Sequence, residues 1–559
     1  MRKSLLILAT AAAAACAHRS LAADPDSWTE AQSAHFTLLT DLDQDDASRA
    51  ASDLEYIHAA LLAAGWHGTS PSAARTTVVL FQSASELKRF VRFNVEGMTT
   101  YDRYGERIIL VNGGANLLGS ELVKHELTHA LVFEYLVTDP RWVQEGIASL
   151  LETLDIDRDA GTAVRGASPW RRRLWLREDK PKIIQWDVLM GNGASNGELD
   201  GYAYETLCWE LVHFLVDSNP KGFDDFMARL AHGEGMWQAF GESFPKLTGR
   251  GIAAAMDEYL SRQPLLKRTF KVPDVPAGRL ALRKLSRAES HALFAELFYA
   301  VGDDAGRDTF KEFEDERSLA LAADPANPLA LSLQQRPNAQ LAVARHPDDF
   351  RSWALLYDAD EKNVDALRKA VALAPGNSFL LSRLAAAEAV EGKSADALAH
   401  AERARSLSPT SFVLHTLARL YDKNGRCAEA RTEQERAIES LPDRVDPRVP
   451  EYYRDELRDI VEHCGRRDTI GTATETVTAE PVLKVCRQPL VVDRIRGISA
   501  QFTIREDGSV TAVAIHGAPD RQQNGVLRQF LESCSFEPVV VNGKPRPVQL
   551  NLNIEDMVR

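Results

Sequence analysis

The sequence lacks an excess of basic residues, and it lacks an apolar run long enough to cross a membrane. Lys and Arg total 66 against 80 Asp and Glu, a net charge of −14. Removing residues 1–22 takes away Arg2, Lys3 and Arg19 and no acid, which lowers the charge from −14 to −17. Such a surface repels nucleic acid and anionic lipid. Because no segment reaches about 18 uninterrupted apolar residues, we expect no transmembrane span.

Cysteine is also scarce, with six in 559 residues. In an oxidising compartment Cys427 could pair with Cys464, and Cys486 with Cys534, which would leave Cys208 alone. The spacing by itself does not fix these pairings. Cys208 lies in an apolar helical segment, so we expect a buried structural thiol there and not a nucleophile.

The N-terminus has the pattern of an export signal over residues 1–22. Arg2-Lys3 precedes an apolar core at 5–15, and Ser20-Leu21-Ala22 forms a small-residue cleavage site. Cys16 follows three alanines, as in a lipobox, but the usual leucine three positions upstream is missing. We therefore expect a protein of the periplasm or cell envelope, with a lipid anchor at Cys16 as the alternative to simple cleavage.

The most informative motif is His125-Glu126-Leu127-Thr128-His129, which fits H-E-x-x-H. Histidines at i and i+4 share one helix face, so both rings can reach one metal ion. Glu126 would stand beside that ion, where it can take a proton from water. Glu145, sixteen positions after His129, offers a third ligand. The fourth position stays open, as in catalytic zinc sites.

A solvated helix with incidental histidines is the alternative, but the apolar run 122–137 argues against it. Ser120 is the expected N-cap of this helix. Most other histidines suggest no site. His213 lies in an apolar helical segment, where a core position is expected and a position facing the site is the alternative. Partner spacing is absent for four others, namely His35, His67, His232 and His415.

H-E-x-x-H followed by Trp142-x-x-Glu145-Gly146-x-Ala148 resembles the gluzincin metallopeptidases, the thermolysin-like or peptidase MA group. The resemblance implies an α+β zincin-like domain over 24–265. It also implies Zn2+ bound by His125, His129 and Glu145, with Glu126 as general base. Ser149 stands where some gluzincins carry an acidic residue that orients a histidine. The absence of a Gly-x-Met-x-Asn stretch favours an endopeptidase.

The same resemblance implies two further features of the site. A tyrosine downstream of the glutamate ligand stabilises the oxyanion in this group, which points to Tyr204 as a catalytic residue, or to Tyr202. A buried tyrosine at a helix start is the alternative. By analogy, a sheet edge within Tyr101–Val111 binds an extended peptide, although an interior strand is equally consistent with that sequence.

Residues 280–465 are rich in Ala and Leu and are expected to be all-α. Prolines at 375, 409 and 442 end three similar segments, at spacings of 34 and 33. This period resembles the tetratricopeptide repeat, whose stacked helical hairpins form a concave peptide groove. A plain helical bundle is the alternative.

Residues 478–559 predict a small α+β unit. The order is a hairpin around Arg505–Gly508, a helix at 525–534, and a last strand at 548–554. This order resembles the TonB C-terminal domain. That resemblance implies protein–protein contact at the cell envelope, so we expect protein partners for this unit and for the repeats.

Taken together, these patterns predict a multidomain, exported, zinc-dependent metallopeptidase, with an endopeptidase favoured. Its repeats and C-terminal unit would recruit protein partners. A cell-envelope interaction scaffold with a vestigial or structural metal site is the alternative. A metallohydrolase that cleaves bonds other than peptide bonds would share the same ligands.

Overall fold

A computed structural model describes most of the chain. The described residues are 25–66, 75–92, 95–114, 116–169, 201–247, 249–260, 266–275, 280–302, 308–441, 448–468, 483–486, 498–516, 521–537, 540–541 and 544–554. The expected export signal, including Cys16, lies outside them. Within these residues no helix combines the length and apolarity that crossing a membrane requires.

The N-terminal unit is built on a mixed sheet of six strands. They are β1 (Thr29–Gln32), β2 (Phe36–Thr40), β3 (Thr76–Phe81), β4 (Gly97–Tyr101), β5 (Arg107–Asn112) and β9 (Ala281–Lys284). Their order in the sheet is β4-β5-β3-β2-β1-β9. Strands β2, β3 and β5 run parallel, and β4 pairs antiparallel with β5 at one edge.

Helices cover this sheet and bury its apolar side chains. They are α1 (Gln44–Gly65), α2 (Ala84–Leu87), α3 (Glu121–Tyr135), α4 (Arg141–Glu152), α5 (Gly201–Ser218), α6 (Pro220–Ala231), α7 (Met236–Ser243) and α8 (Gly249–Leu260). The main core combines α1, α3, α4 and α5 with one face of the sheet. A second small sheet has the order β6 (Asp155–Asp157), β7 (Thr162–Arg165) and β8 (Arg268–Lys271).

Two strands beyond residue 265 belong to this unit. Strand β8 pairs with β7, and β9 pairs with β1 from Thr29↔Lys284 to Gln32↔Ala281. The prolines between 264 and 276 predict a linker, but β8 lies within this stretch and β9 follows it, and both strands complete sheets of the first unit. The N-terminal unit therefore extends to Lys284, past the expected boundary at 265.

Gly146 lets α4 and α5 approach each other closely. A Cβ atom at this position would lie 2.7 Å from the Cys208 carbonyl oxygen and still closer to the Val212 side chain. Trp142, one turn earlier on α4, is fully buried. The close packing of α4 against α5 therefore requires a glycine at this position.

We expect Gly146→Ala to lower the free energy of unfolding by roughly 1–2 kcal/mol, because overpacking outweighs the gain in helix propensity. Urea unfolding measures the change. Gly119→Ala is the matched control, since a Cβ atom there meets nothing within 4 Å. Equal stability of Gly146→Ala and wild type would contradict the close helix contact.

Helical hairpins follow the first unit, and the described part of 280–465 is helical apart from β9 and the connections. The helices are α9 (Arg287–Val301), α10 (Phe310–Ala323), α11 (Pro328–Ser332), α12 (Ala339–Arg345), α13 (Phe350–Ala359), α14 (Val364–Leu373), α15 (Ser378–Val390), α16 (Ser394–Leu407), α17 (Ser411–Lys423), α18 (Cys427–Glu439) and α19 (Arg448–Asp468). The prolines at 375 and 409 each follow the second helix of a hairpin, as a 34-residue period requires. The chain is thus multidomain with repeat-like helical segments.

The C-terminal unit is small and mixed. Its elements are β10 (Leu483–Cys486), β11 (Ser499–Ile504), β12 (Val510–His516), α20 (Arg521–Glu532), β13 (Cys534–Phe536), β14 (Val540–Val541), β15 (Lys544–Pro545) and β16 (Val548–Asn553). Strand β11 lies between β12 and β16. A disulfide joins Cys486 to Cys534, which confirms one suggested pairing. Cys427 is also disulfide-bonded, while the side chain of Cys464 lies outside the described residues.

The repeats hold the turn that joins β4 to β5. Tyr104 in this turn is 1% exposed and packs among apolar residues of α13 to α17. The Asn377 side chain donates a hydrogen bond of 3.2 Å to the Tyr104 carbonyl oxygen. Gly105 follows at φ 68°, in the left-handed region that glycine tolerates. The first unit and the repeats therefore share a buried interface.

Candidate metal centre

Helix α3 brings the two motif histidines together on one face. Ser120 caps this helix, as expected, by accepting a hydrogen bond of 3.2 Å from the Val123 N–H. One turn of helix separates the rings of His125 and His129, whose Nε2 atoms lie 3.1 Å apart. The expected pairing of the two imidazoles is therefore present.

Glu145 approaches both rings from α4. Its Oε2 atom lies 3.7 Å from His125 Nε2 and 3.7 Å from His129 Nε2. Four ligands at 2.0–2.1 Å from a tetrahedral zinc ion stand about 3.3 Å from one another. The three atoms thus form a triangle of the right size, and the donor set of two imidazoles and one carboxylate suits zinc.

Glu152, the last residue of α4, orients His125. Its Oε2 atom lies 2.8 Å from His125 Nδ1, and the carboxylate is 1% exposed. This contact assigns the proton of the neutral ring to Nδ1 and leaves the Nε2 lone pair free for a metal ion. Glu152 therefore takes the orienting role that Ser149, three residues earlier, does not provide.

The carboxylates around the two histidines favour one positive charge between them. Burial opposes protonation of His125, but the hydrogen bond to Glu152 and the charges of Glu152, Glu126 and Glu145 outweigh it and raise its pKa to about 9. Burial lowers the pKa of His129, and the neighbouring His125 lowers it further. The electrostatic field therefore suits a single cation held by both rings.

Glu126 is held from the side of the edge strand β4. The Thr99 hydroxyl donates a hydrogen bond of 2.9 Å to Glu126 Oε2. A Cβ atom at Gly97 would lie 3.0 Å from Glu126 Cγ, so the strand passes close to this side chain. Glu126 is 7% exposed. Its carboxylate has a defined orientation beside the histidine pair.

Glu145 connects the triangle to a large cleft with a volume of about 1620 Å3. The described wall of the cleft also includes the β4 residues Met98, Thr99, Thr100 and Tyr101, but not the rings of His125 and His129 or the carboxylate of Glu126. Residues of the repeats and of the C-terminal unit line the same cleft, among them Phe412 and Arg505. Strand β4 is the sheet edge, whereas β5 is interior. Only the first residue of the expected edge Tyr101–Val111 thus belongs to the edge strand.

Tyr204 is buried beneath the site. It is 1% exposed, the Arg141 guanidinium lies 5.0 Å from its ring centroid, and it is not among the residues that form the described cleft wall. Burial raises the pKa of the Tyr204 phenol, and the nearby Cys208 thiol adds to this effect. The oxyanion role of Tyr204 stays a prediction. The side chain of Tyr202 lies outside the described residues.

The other two expectations for this region are met. Cys208 is a buried free cysteine, and burial raises its pKa, so the thiol is not activated. His213 is 2% exposed in the core, with its Nδ1 atom 3.2 Å from Asp217. Neither residue contributes to the metal triangle.

No protein family matches this chain, and no curated protein matches it either. The interpretation of the site therefore depends on the positions and chemistry of its own residues.

Proposed function

We propose that this protein is a zinc-dependent metallopeptidase. The observation that carries the proposal is the triangle of His125 Nε2, His129 Nε2 and Glu145 Oε2, with edges of 3.1, 3.7 and 3.7 Å. His125, His129 and Glu145 would hold the ion. A structural zinc site has four protein ligands, whereas three protein ligands leave room for a reacting group.

A zinc ion bound there would polarise the scissile carbonyl and lower the pKa of water to about 7. Glu126 takes the proton of the attacking water and passes it to the leaving amine. Thr99 directs this carboxylate through its hydrogen bond to Oε2. Glu152 holds the His125 ring in its orientation through Nδ1.

The cleft supports a polypeptide substrate. An extended peptide can add to the edge of β4 by main-chain hydrogen bonds, since Met98, Thr99, Thr100 and Tyr101 all line the cleft. The repeats and the C-terminal unit border the same space, so they are positioned to select or recruit the protein that is cut. An exported protein of the cell envelope, as the N-terminal sequence predicts, would act on protein partners there.

Metal content and hydrolysis test the proposal together. We expect the wild-type chain to carry zinc at the triangle and to cleave casein or a quenched peptide library. His129→Ala should lose that zinc ion and the activity, because only two of the three ligands remain. His232→Ala is the matched control and should keep the zinc ion. His232 lies at the cleft wall, and its Nδ1 atom is hydrogen-bonded to the Ala228 carbonyl oxygen.

The outcomes separate the competing functions. If His129→Ala loses zinc but the wild type cleaves no peptide, the interaction scaffold is favoured. Cleavage of esters without peptide cleavage would favour another metallohydrolase. Full zinc content and activity in His129→Ala would overturn the proposed site.

A further inference from the structure

A second group of metal-ligand side chains lies away from the cleft. His35 immediately precedes β2, and Glu55 and His58 lie three residues apart on one face of α1. The Nδ1 atom of His35 is 2.6 Å from Glu55 Oε2, and the centroids of the His35 and His58 rings are 4.6 Å apart. Each of the three residues offers one ligand atom, all within 4.8 Å of one another.

A small cavity adjoins this group. Its volume is about 10 Å3, close to the space that one water molecule or one ion occupies. Besides His35 and His58, its wall is formed by Phe36, Thr76, Leu127, Ala130, Leu131 and Glu134. On α3, Leu127, Leu131 and Glu134 lie opposite the face that carries the two motif histidines. The cavity is therefore separate from the catalytic cleft.

Glu134 lines this cavity, and one of its carboxylate oxygens has no hydrogen-bond partner among the described residues. Its Oε1 atom is buried and forms no hydrogen bond with the residues that the structure describes. The other oxygen, Oε2, lies 3.4 Å from Arg107 Nη1. A buried carboxylate oxygen without a donor costs free energy, and a cation in the cavity would remove that cost.

His58 is also buried at this cavity. It is 8% exposed and forms part of the cavity wall. A neutral imidazole in this position would offer one ring nitrogen to a metal ion.

We propose that His35, Glu55 and His58 bind a second divalent cation, with Glu134 at the wall of the adjoining cavity. Imidazole nitrogens and carboxylate oxygens form a set that suits zinc. The cation takes the place of the proton between His35 and Glu55. Because the cavity has no room for a substrate, this site is structural. The cation links α1 and the start of β2 to the face of α3 opposite the two motif histidines.

Zinc counting in the full mature chain tests this proposal. We expect two zinc ions in the wild type, one in His129→Ala, one in His58→Phe, and none in the double variant. Phenylalanine keeps a ring in the apolar contact with Phe36, whose ring centroid lies 5.7 Å from that of His58. An unchanged zinc count in His58→Phe relative to wild type would overturn the second site.

The zinc counts distinguish failure of the second site from failure of the proposed peptidase centre. If the wild type binds one zinc ion and His129→Ala abolishes it, the second site is overturned and the proposed peptidase centre remains. If the wild type binds one zinc ion and only His58→Phe abolishes it, the second site remains and the proposed peptidase centre is overturned.

Anomalous diffraction keeps the test decisive if His58→Phe does not fold. Wild-type crystals soaked in zinc and measured at the zinc edge should show a peak between His35 and His58, in addition to the peak at His125. A peak at His125 alone would overturn the proposal.

Discussion

Replacing Glu126 by glutamine is expected to lower kcat/KM for peptide hydrolysis by roughly 10²- to 10⁴-fold, the contribution that general acid–base catalysis usually makes. The amide can still accept the hydrogen bond that Thr99 donates, so the shape of the site is kept while the base is removed. Steady-state hydrolysis of a quenched peptide measures the loss. Bound zinc, measured on the same sample, should equal that of wild type.

Glu121→Gln is the matched control for this variant. It makes the same change in the first turn of the same helix, away from the metal triangle, and should leave hydrolysis unchanged. A fully active Glu126→Gln enzyme would remove Glu126 from the mechanism, even if zinc binding at the triangle is correct.

Removing the Glu152 side chain should weaken zinc binding at the triangle by about 10- to 100-fold, the usual cost of losing a carboxylate that orients a metal-bound histidine. Glu152→Ala leaves His125 Nδ1 without its partner at 2.8 Å. Glu152→Gln keeps an acceptor oxygen but loses the charge, so its effect should be smaller. Competition with a zinc chelator of known affinity measures both variants.

Asp155→Asn provides the control for the Glu152 variants. Asp155 lies three residues further along the chain and is exposed, so its substitution should leave zinc affinity unchanged. Wild-type zinc affinity in Glu152→Ala would show that His125 needs no carboxylate to orient it.

The sequence was sufficient for the parts of the site that local geometry determines. Ser120 as N-cap and His125 with His129 on one face follow from spacing within a single helix. Glu145 followed from the resemblance carried by the motif around it, and the structure places it against both rings.

The parts that were missed depend on contacts between distant segments. Thr99 reaches Glu126 across 27 positions of sequence, and no periodicity marks it. Glu152 did leave a signal, because it follows Glu145 by seven residues, two turns along the same helix face. His35 showed no partner spacing, yet folding brings it to Glu55, which lies 20 residues away. Residues 281–284 were assigned to the helical repeats because the prolines near 264–276 suggested a linker before them. In the structure these residues form β9, and its pairing with β1 decides where the first unit ends.

Tyr104 limits how freely the parts of this protein could be exchanged in evolution or engineering. An N-terminal unit produced alone would expose an aromatic side chain that is now 1% accessible, and it would lose the amide of Asn377 that holds the loop beside β4. The strand leading into that loop also carries Thr99. Without the helical hairpins, the N-terminal unit would therefore hold Glu126 less firmly and would expose an apolar surface, so the hairpins stabilise the candidate site as well as the fold.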